Sequence, residues 1–309
     1  MRGLDIGRVG RVLLGLSIVA LLFYFIGFGK IAESLLSFDA LYLIPVTALF
    51  IAAVLAGGLN LKLLFDARRK LETKGFFLDY LSSWGLGFIA PGKIGDFSLA
   101  YFLRNQMPAA ESGAIILLDK IITLFVLTMF GSVSLVLFLG QGAAAGFITA
   151  LLFLWAAGIA IILTKPGIKL LSRVSPEKYR AGIDGFSRTL GDFLAFEKRR
   201  IFLNLSLTIV KLGIQALAFV LIFSGLGVKS GFLEIFLITC ASTIMSFVPL
   251  TSGGLGIKEG TFAFLALQAG IPLEKSVANA VVSTAINYTL MAAAIGLLSG
   301  RALKDFAKK

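Results

Sequence analysis

The chain has 309 residues, 58% of them hydrophobic and 15% charged, with a mean hydropathy of +0.94; a water-soluble domain would leave too much of that apolar surface wet, so the composition specifies a polytopic membrane protein. The excess of 29 Lys+Arg over 17 Asp+Glu falls mainly between the apolar runs and near the termini, so it reports membrane orientation and not nucleic-acid binding. A single cysteine, Cys240, excludes an intramolecular disulfide, and the absence of histidine removes a group that intramembrane metalloproteases, Ser/His proteases and His-dependent acyltransferases and phosphatases require.

A helix needs about 20 apolar residues to cross the hydrocarbon core. The first such run, 12–29, follows Arg2, Arg8 and Arg11; it is longer than a signal-peptide core and the following "GFGKIAES" is a weak cleavage site, so a retained anchor is expected. The second run is 40–61, and a basic loop follows at 62–75. Residues 77–91, "FLDYLSSWGLGFIAP", are short and carry Asp79 and two serines. Runs 113–139 and 146–164 come next, then the segment 165–200 with nine Lys/Arg, then run 202–226. Residues 231–250 contain Glu234 and a Ser/Thr-rich centre, and run 275–299 precedes the basic tail.

Loop charge orders these runs. The N-terminus, 62–75, 165–200 and the tail should be cytoplasmic, and the links near 30–39 and 140–145 outside. That count closes only if 77–91 enters and leaves on the cytoplasmic face and 231–250 does so on the outer face. The expected fold is therefore all-α, with six transmembrane helices and two opposed re-entrant hairpins in one polytopic domain spanning 1–309. The 165–200 connection, with apolar and basic residues alternating, should lie as amphipathic helices on an anionic leaflet.

An internal repeat accompanies the hairpins. "PGKIGDFSLAYFLRNQMPAAESGA" follows the first and "PLTSGGLGIKEGTFAFLALQAGIPLEKSVA" the second. Each has a proline, a Gly-rich turn with a lysine, a carboxylate opening a short helix, and a second proline. Pro108 leads to Ser112 and Ala114 at the offsets by which Pro272 leads to Ser276 and Ala278. Units entering from opposite faces form an inverted-topology repeat, which places substrate at the repeat interface near the midplane.

These stretches, with "AIILLDKIITL", resemble the two signature regions of the flippase-like transmembrane domain of lysylphosphatidylglycerol synthases. Pro91, Lys93, Gly95, Asp96, Asp119 and Lys120 stand at the positions of the first pattern, and Pro249, Gly253, Gly254, Gly256, Lys258 and Glu259 at those of the second. Lysine replaces arginine three times, aspartate replaces glutamate twice, and no asparagine immediately precedes Pro91. The chain ends at Lys309 without the soluble aminoacyl-transferase domain of bifunctional members, so the resemblance implies lipid translocation without the synthetic step.

Substrate contacts are expected at Lys93, Asp96, Arg104, Asp119, Lys120, Lys211, Ser252, Gly253, Gly254, Lys258, Glu259 and Asn287. Each admits a plainer reading. Asp96 and Glu259 could merely cap short helices; Lys93 and Lys258 could snorkel to an interface or bind an anion beside the glycine turns. Lys211 lies ten residues into its run, where a carboxylate partner is expected, Asp119 or Glu259, because an ionisable group at that depth is costly. Asn287 could serve as interhelical glue or as a ligand contact.

The function expected is a flippase-like transporter in the cell membrane, both termini cytoplasmic, acting on a phospholipid or polyprenyl-phosphate-linked lipid with an anionic or aminoacylated head group. No enzyme activity, metal, cofactor or nucleic-acid partner is expected, and no ATP-binding motif is present, so movement should be downhill or ion-coupled. A non-transporting scaffold for a lipid-modifying enzyme and a small-solute secondary transporter are the alternatives.

Overall fold

The computed structural model describes residues 6–89, 94–164, 166–167, 169, 180–247, 250–251 and 254–307. Every regular element among them is helical: α1 (Ile6–Ile26), α2 (Phe28–Leu36), α3 (Leu43–Arg68), α4 (Thr73–Ile89), α5 (Ser98–Phe102), α6 (Ala109–Leu163), α7 (Arg180–Phe196), α8 (Lys198–Gly225), α9 (Phe232–Ile244), α10 (Ile257–Gln268) and α11 (Leu273–Ala307). Short 3-10 turns lie at Ala40–Tyr42, Ile94–Phe97 and Met245–Phe247. Four helical stretches are long and apolar enough to cross a membrane: Ala40–Arg68, Ala109–Gly142, Lys198–Gly225 and Leu273–Gly296. The expected runs 40–61 and 113–139 fall within them, 202–226 overruns its stretch by one residue and 275–299 by three. Ala144–Gly158 and Phe232–Phe247 are shorter apolar helices.

The helices run further than hydropathy indicates. Lys62 and Asp66, expected in a loop, form an ion pair of 2.6 Å one turn apart and carry α3 on to Arg68; such pairs satisfy charge without breaking the helix. The link expected at 30–39 is largely α2, set off from α1 by Gly27, whose φ of +91° only glycine adopts readily. α6 contains the expected break between two runs at Gly140, with φ 79° and ψ 163°. Its arms fold back on each other there: Trp155 Nε1 donates to Thr128 Oγ1 at 3.1 Å, and the Trp155 and Phe125 rings meet edge to face.

Both doubtful stretches double back. After α4, Ser83 Oγ donates to the Asp96 carbonyl at 2.7 Å and accepts from Leu99 N at 3.1 Å, so a buried serine stitches the returning chain to the helix. Gly87 leaves room for the Asp96 carboxylate, and Gly95 lies against the Leu86 carbonyl. After α9, Gly254 returns against Ser246, where a Cβ would stand 2.7 Å from its Cα. Pro91, Lys93, Pro249, Ser252 and Gly253 lie outside the described residues. The offsets of the internal repeat have a structural counterpart: Ser112 N bonds Pro108 O and Ser276 N bonds Pro272 O, each at 3.0 Å. Ser112, Ala114, Ser276 and Ala278 are all fully buried.

One apolar core joins α3, α6, α8, α9, α10 and α11 around Phe50, Phe219, Phe223 and Phe262. A second joins α3 to α7 around Phe65, Phe76, Leu103 and Phe193. In lipid, close packing rather than water exclusion holds such contacts together. α7 differs from the amphipathic surface helix expected: Leu190 and Phe193 are buried against protein, Arg68 lies over the Phe193 ring at 5.7 Å, and Arg68 Nη2 pairs with Asp192 at 2.7 Å. The end of α3 and the start of α6 thus take up much of the apolar face that the pattern alone assigned to a leaflet.

Candidate functional site

α3, α4, α6, α8, α9, α10 and α11 enclose a cavity of about 220 Å³. Six formally charged side chains line it: Asp96, Asp119 and Glu259 against Lys120, Lys211 and Lys258. Among the described residues the lining is thus charge-balanced, and what it can bind depends on which charges are already paired. α3 opens the space with glycine: a Cβ at Gly57 would stand 2.5 Å from Tyr80 Oη and 3.5 Å from Lys211 Cδ.

Three of the six charges are tied to one another. Lys120 Nζ lies 2.6 Å from Asp96 Oδ2 and 3.9 Å from Asp119 Oδ2, so one ammonium joins the first hairpin to α6. Asp119 lies deeper, and its Oδ1 accepts from Asn204 Nδ2 at 3.1 Å and Asn60 Nδ2 at 3.4 Å. Asn60 also donates to Thr208 Oγ1 at 2.8 Å, and Asn204 to the Asn60 carbonyl at 3.3 Å. Asn60, Asn204 and Thr208 are fully buried. The carboxylate thereby cross-links α3, α6 and α8 through hydrogen bonds to a charged group, each worth about 1.5–3 kcal/mol.

The second hairpin is built differently. Glu259 Oε2 accepts from Gly256 N at 2.8 Å, closing a capping box at the start of α10 while its side chain still lines the cavity. Capping thus leaves Glu259 in the cavity lining, whereas Asp96 is held by Lys120. Lys258 Nζ stands 6.0 Å from the Phe219 ring centroid. Lys211, thirteen residues into α8 and hence about 20 Å along its axis, also reaches the cavity, as does Gln215 one turn on. The carboxylate expected beside Lys211 is not there: among the described residues neither Lys211 nor Lys258 has a carboxylate oxygen within 4.0 Å. The carboxylates are held elsewhere, Asp119 by two asparagines and Lys120, Glu259 by its own cap.

Asn287 lines the cavity with its amide donating to Ser283 O at 2.8 Å, within its own helix. The asparagine that joins helices here is Asn279, which donates to the Phe219 carbonyl at 2.9 Å. Gly254 makes the turn and does not line the cavity. Arg104 does not reach the cavity either: it is exposed, 3.9 Å over the Tyr101 ring, and bonded to the Tyr101 carbonyl at 3.1 Å. We expect Arg104→Ala to leave folding at the parent level, measured by melting in detergent. A large drop in melting temperature would contradict that placement.

Asn60 and Asn204 escaped the sequence reading, although each sits as Leu-Asn-Leu inside an apolar helix. A lone amide in an otherwise apolar stretch was the available signal, since it needs a partner from another helix. Among the described residues no group of three or more His, Cys, Asp or Glu is placed to hold a metal ion.

These features define a helical membrane protein with a charged site among its spans. A family model described as the lysylphosphatidylglycerol synthase TM region matches residues 9–296, and the chain belongs to that family. It is a membrane domain of a family linked to lipid handling. No curated protein and no solved structure matches the chain.

Proposed function

We propose that the protein is a transporter, without enzymatic activity, that moves a phospholipid or polyprenyl-phosphate-linked lipid between leaflets of the cell membrane. One observation carries this reading. Two Pro-Gly regions some 160 residues apart in the chain send Asp96 from one and Lys258 and Glu259 from the other into a single polar cavity among long apolar helices. Charged groups inside a membrane are costly and mark pathways.

In this reading α1, α3, the two arms of α6, α8 and α11 are six spans, with both termini cytoplasmic and 165–200 on the same side. α4 with residues 94–102, and α9 with α10, are re-entrant hairpins from opposite faces. The thirteen residues of α9 extend about 20 Å, short of the roughly 30 Å hydrocarbon core, and the chain then turns back. Irregular backbone at such depth is tolerated where it lines a cavity. Rocking of one repeat against the other would expose the cavity alternately while the acyl chains stay in the bilayer.

The test is head-group-selective translocation by the reconstituted full chain. Lys258→Ala and Glu259→Gln should each reduce lipid movement at least about tenfold, equivalent to about 1.4 kcal/mol on the barrier, while insertion into the vesicle is retained. Folded variants that move lipid at the parent rate would reduce the motif to a helix start and a turn.

A further inference from the structure

The charge pairing inside the cavity selects a ligand. Lys120 is committed to Asp96 at 2.6 Å, Asp119 to two asparagines, and Glu259 to the Gly256 amide. The two ammoniums without a carboxylate within 4.0 Å, Lys211 on α8 and Lys258 on α10, face the same space. Lys211, Gln215 and Phe219 recur at four-residue intervals and so share one face of α8. Lys258 Nζ lies near Phe219, about 12 Å along the helix from Lys211 by rise. Two flexible lysine side chains reaching across that rise can close on one anionic group. A cationic head group would meet carboxylates that already have donors.

A second feature lies beside the first. A groove of about 180 Å³ runs between α3, α4 and α11, lined by Ile51 and Leu55, by Leu81, and by Leu290 and Ala293, with no charged residue. Val54 and Trp84 line both the groove and the charged cavity. Ile51 and Leu55 are 42% and 40% exposed on the outside of the helices, where hydrocarbon surrounds a membrane protein. A charged cavity and an apolar, lipid-facing groove that share Val54 and Trp84 in their linings together have the form of an amphiphile: head inside, chain outside.

We propose that the cavity binds a lipid whose phosphate is engaged by Lys211 and Lys258 and whose hydrocarbon chain leaves between α3, α4 and α11. This rests on the translocation reading and adds the head-group class and the path of the chain. Arginine or lysine receiving phosphate in a dry site makes charge-assisted bonds about twice as strong as neutral ones, and the groove spares the chain any contact with polar lining.

Trp84 and Trp155 are the chain's two tryptophans, so Trp155→Phe leaves Trp84, at the junction, as the sole indole reporter. The full chain carrying that change is titrated in detergent with phosphatidic acid brominated on its chains and with diacylglycerol bearing the same brominated chains. Phosphatidic acid should quench Trp84 saturably at a concentration at least about tenfold lower. Lys211→Gln with Lys258→Gln should abolish that preference and Lys211→Arg with Lys258→Arg should keep it, which separates charge from folding. Ala293→Phe, which fills the groove, should weaken quenching by phosphatidic acid. Millimolar inorganic phosphate should not relieve it.

Equal quenching by both lipids overturns the phosphate assignment, as does a preference that survives the double Gln variant. Relief by inorganic phosphate together with indifference to Ala293→Phe makes the cavity a free-anion site and overturns the chain path. The two levels of the proposal separate cleanly. A protein that passes this binding test yet moves no lipid defeats the transport reading and leaves the bound lipid standing; one that moves lipid with no phosphate preference defeats this inference alone.

Discussion

Lys120→Met should destabilise the protein by about 3 kcal/mol, the lower end of the range for removing one partner of a buried pair, because this pair is part-buried. The side chains of Lys120 and Asp96 are 22% and 17% exposed, and that of Asp119 is 8% exposed. Without the ammonium, the Asp96 carboxylate loses its partner at 2.6 Å, and with it a contact that ties residues 94–97 to α6. Asp119 suffers less because Asn60 and Asn204 still donate to it. Adding Asp96→Asn to Lys120→Met should therefore recover most of the loss, since a neutral pair no longer strands a carboxylate. Equilibrium unfolding in mixed micelles measures both. If the single variant is as stable as the parent, or the second change adds to the loss, the pair does not anchor the hairpin.

Gly254→Ala should cost about 3 kcal/mol, from two sources. Its φ of +81° lies in the left-handed region, where a side chain costs about 1–2 kcal/mol. A Cβ there would also overlap the Ser246 Cα at 2.7 Å, and forced overlap in a packed region costs about 1–3 kcal/mol. Because the neighbour is backbone, no rotamer change relieves it. Gly142→Ala is the control: it has no atom within 4 Å of a Cβ and no positive φ, so its effect should stay within about 0.5 kcal/mol. Comparable melting losses in the two variants would show that the turn does not require glycine. The same experiment bears on function, because Gly254 touches the cavity only through the turn it makes.

Much of the architecture is readable from local windows. The apolar runs that became α3, the first arm of α6, α8 and α11 are visible because a bilayer demands a fixed length of hydrocarbon-compatible helix. Gly140 punctuates α6 within the stretch where charge counting required an outer link. The cavity residues Asp96, Asp119, Lys120, Lys211, Lys258, Glu259 and Asn287 stand out as ionisable or amide groups in or beside such runs. Arg104 stands out by the same rule and yet packs on its own Tyr101, because an exposed ring and its carbonyl one turn back can satisfy an arginine without any site.

The pairings are another matter. Asn60 meets Asp119 across 59 positions of chain and Asn204 meets it across 85, and no periodicity in either helix announces the other. α7 has an amphipathic pattern that suits a lipid surface or a protein surface equally; only the place where α3 ends and α6 begins settles that protein covers it. Hydropathy adds up over neighbouring residues, so class, spans and turn chemistry follow from the order of amino acids alone. Coulomb attraction and hydrogen bonding act over a few ångströms between groups brought together by packing. Which of the three lysines lies against carboxylates, and which two have none within 4.0 Å among the described residues, therefore existed nowhere in the sequence until the helices were assembled.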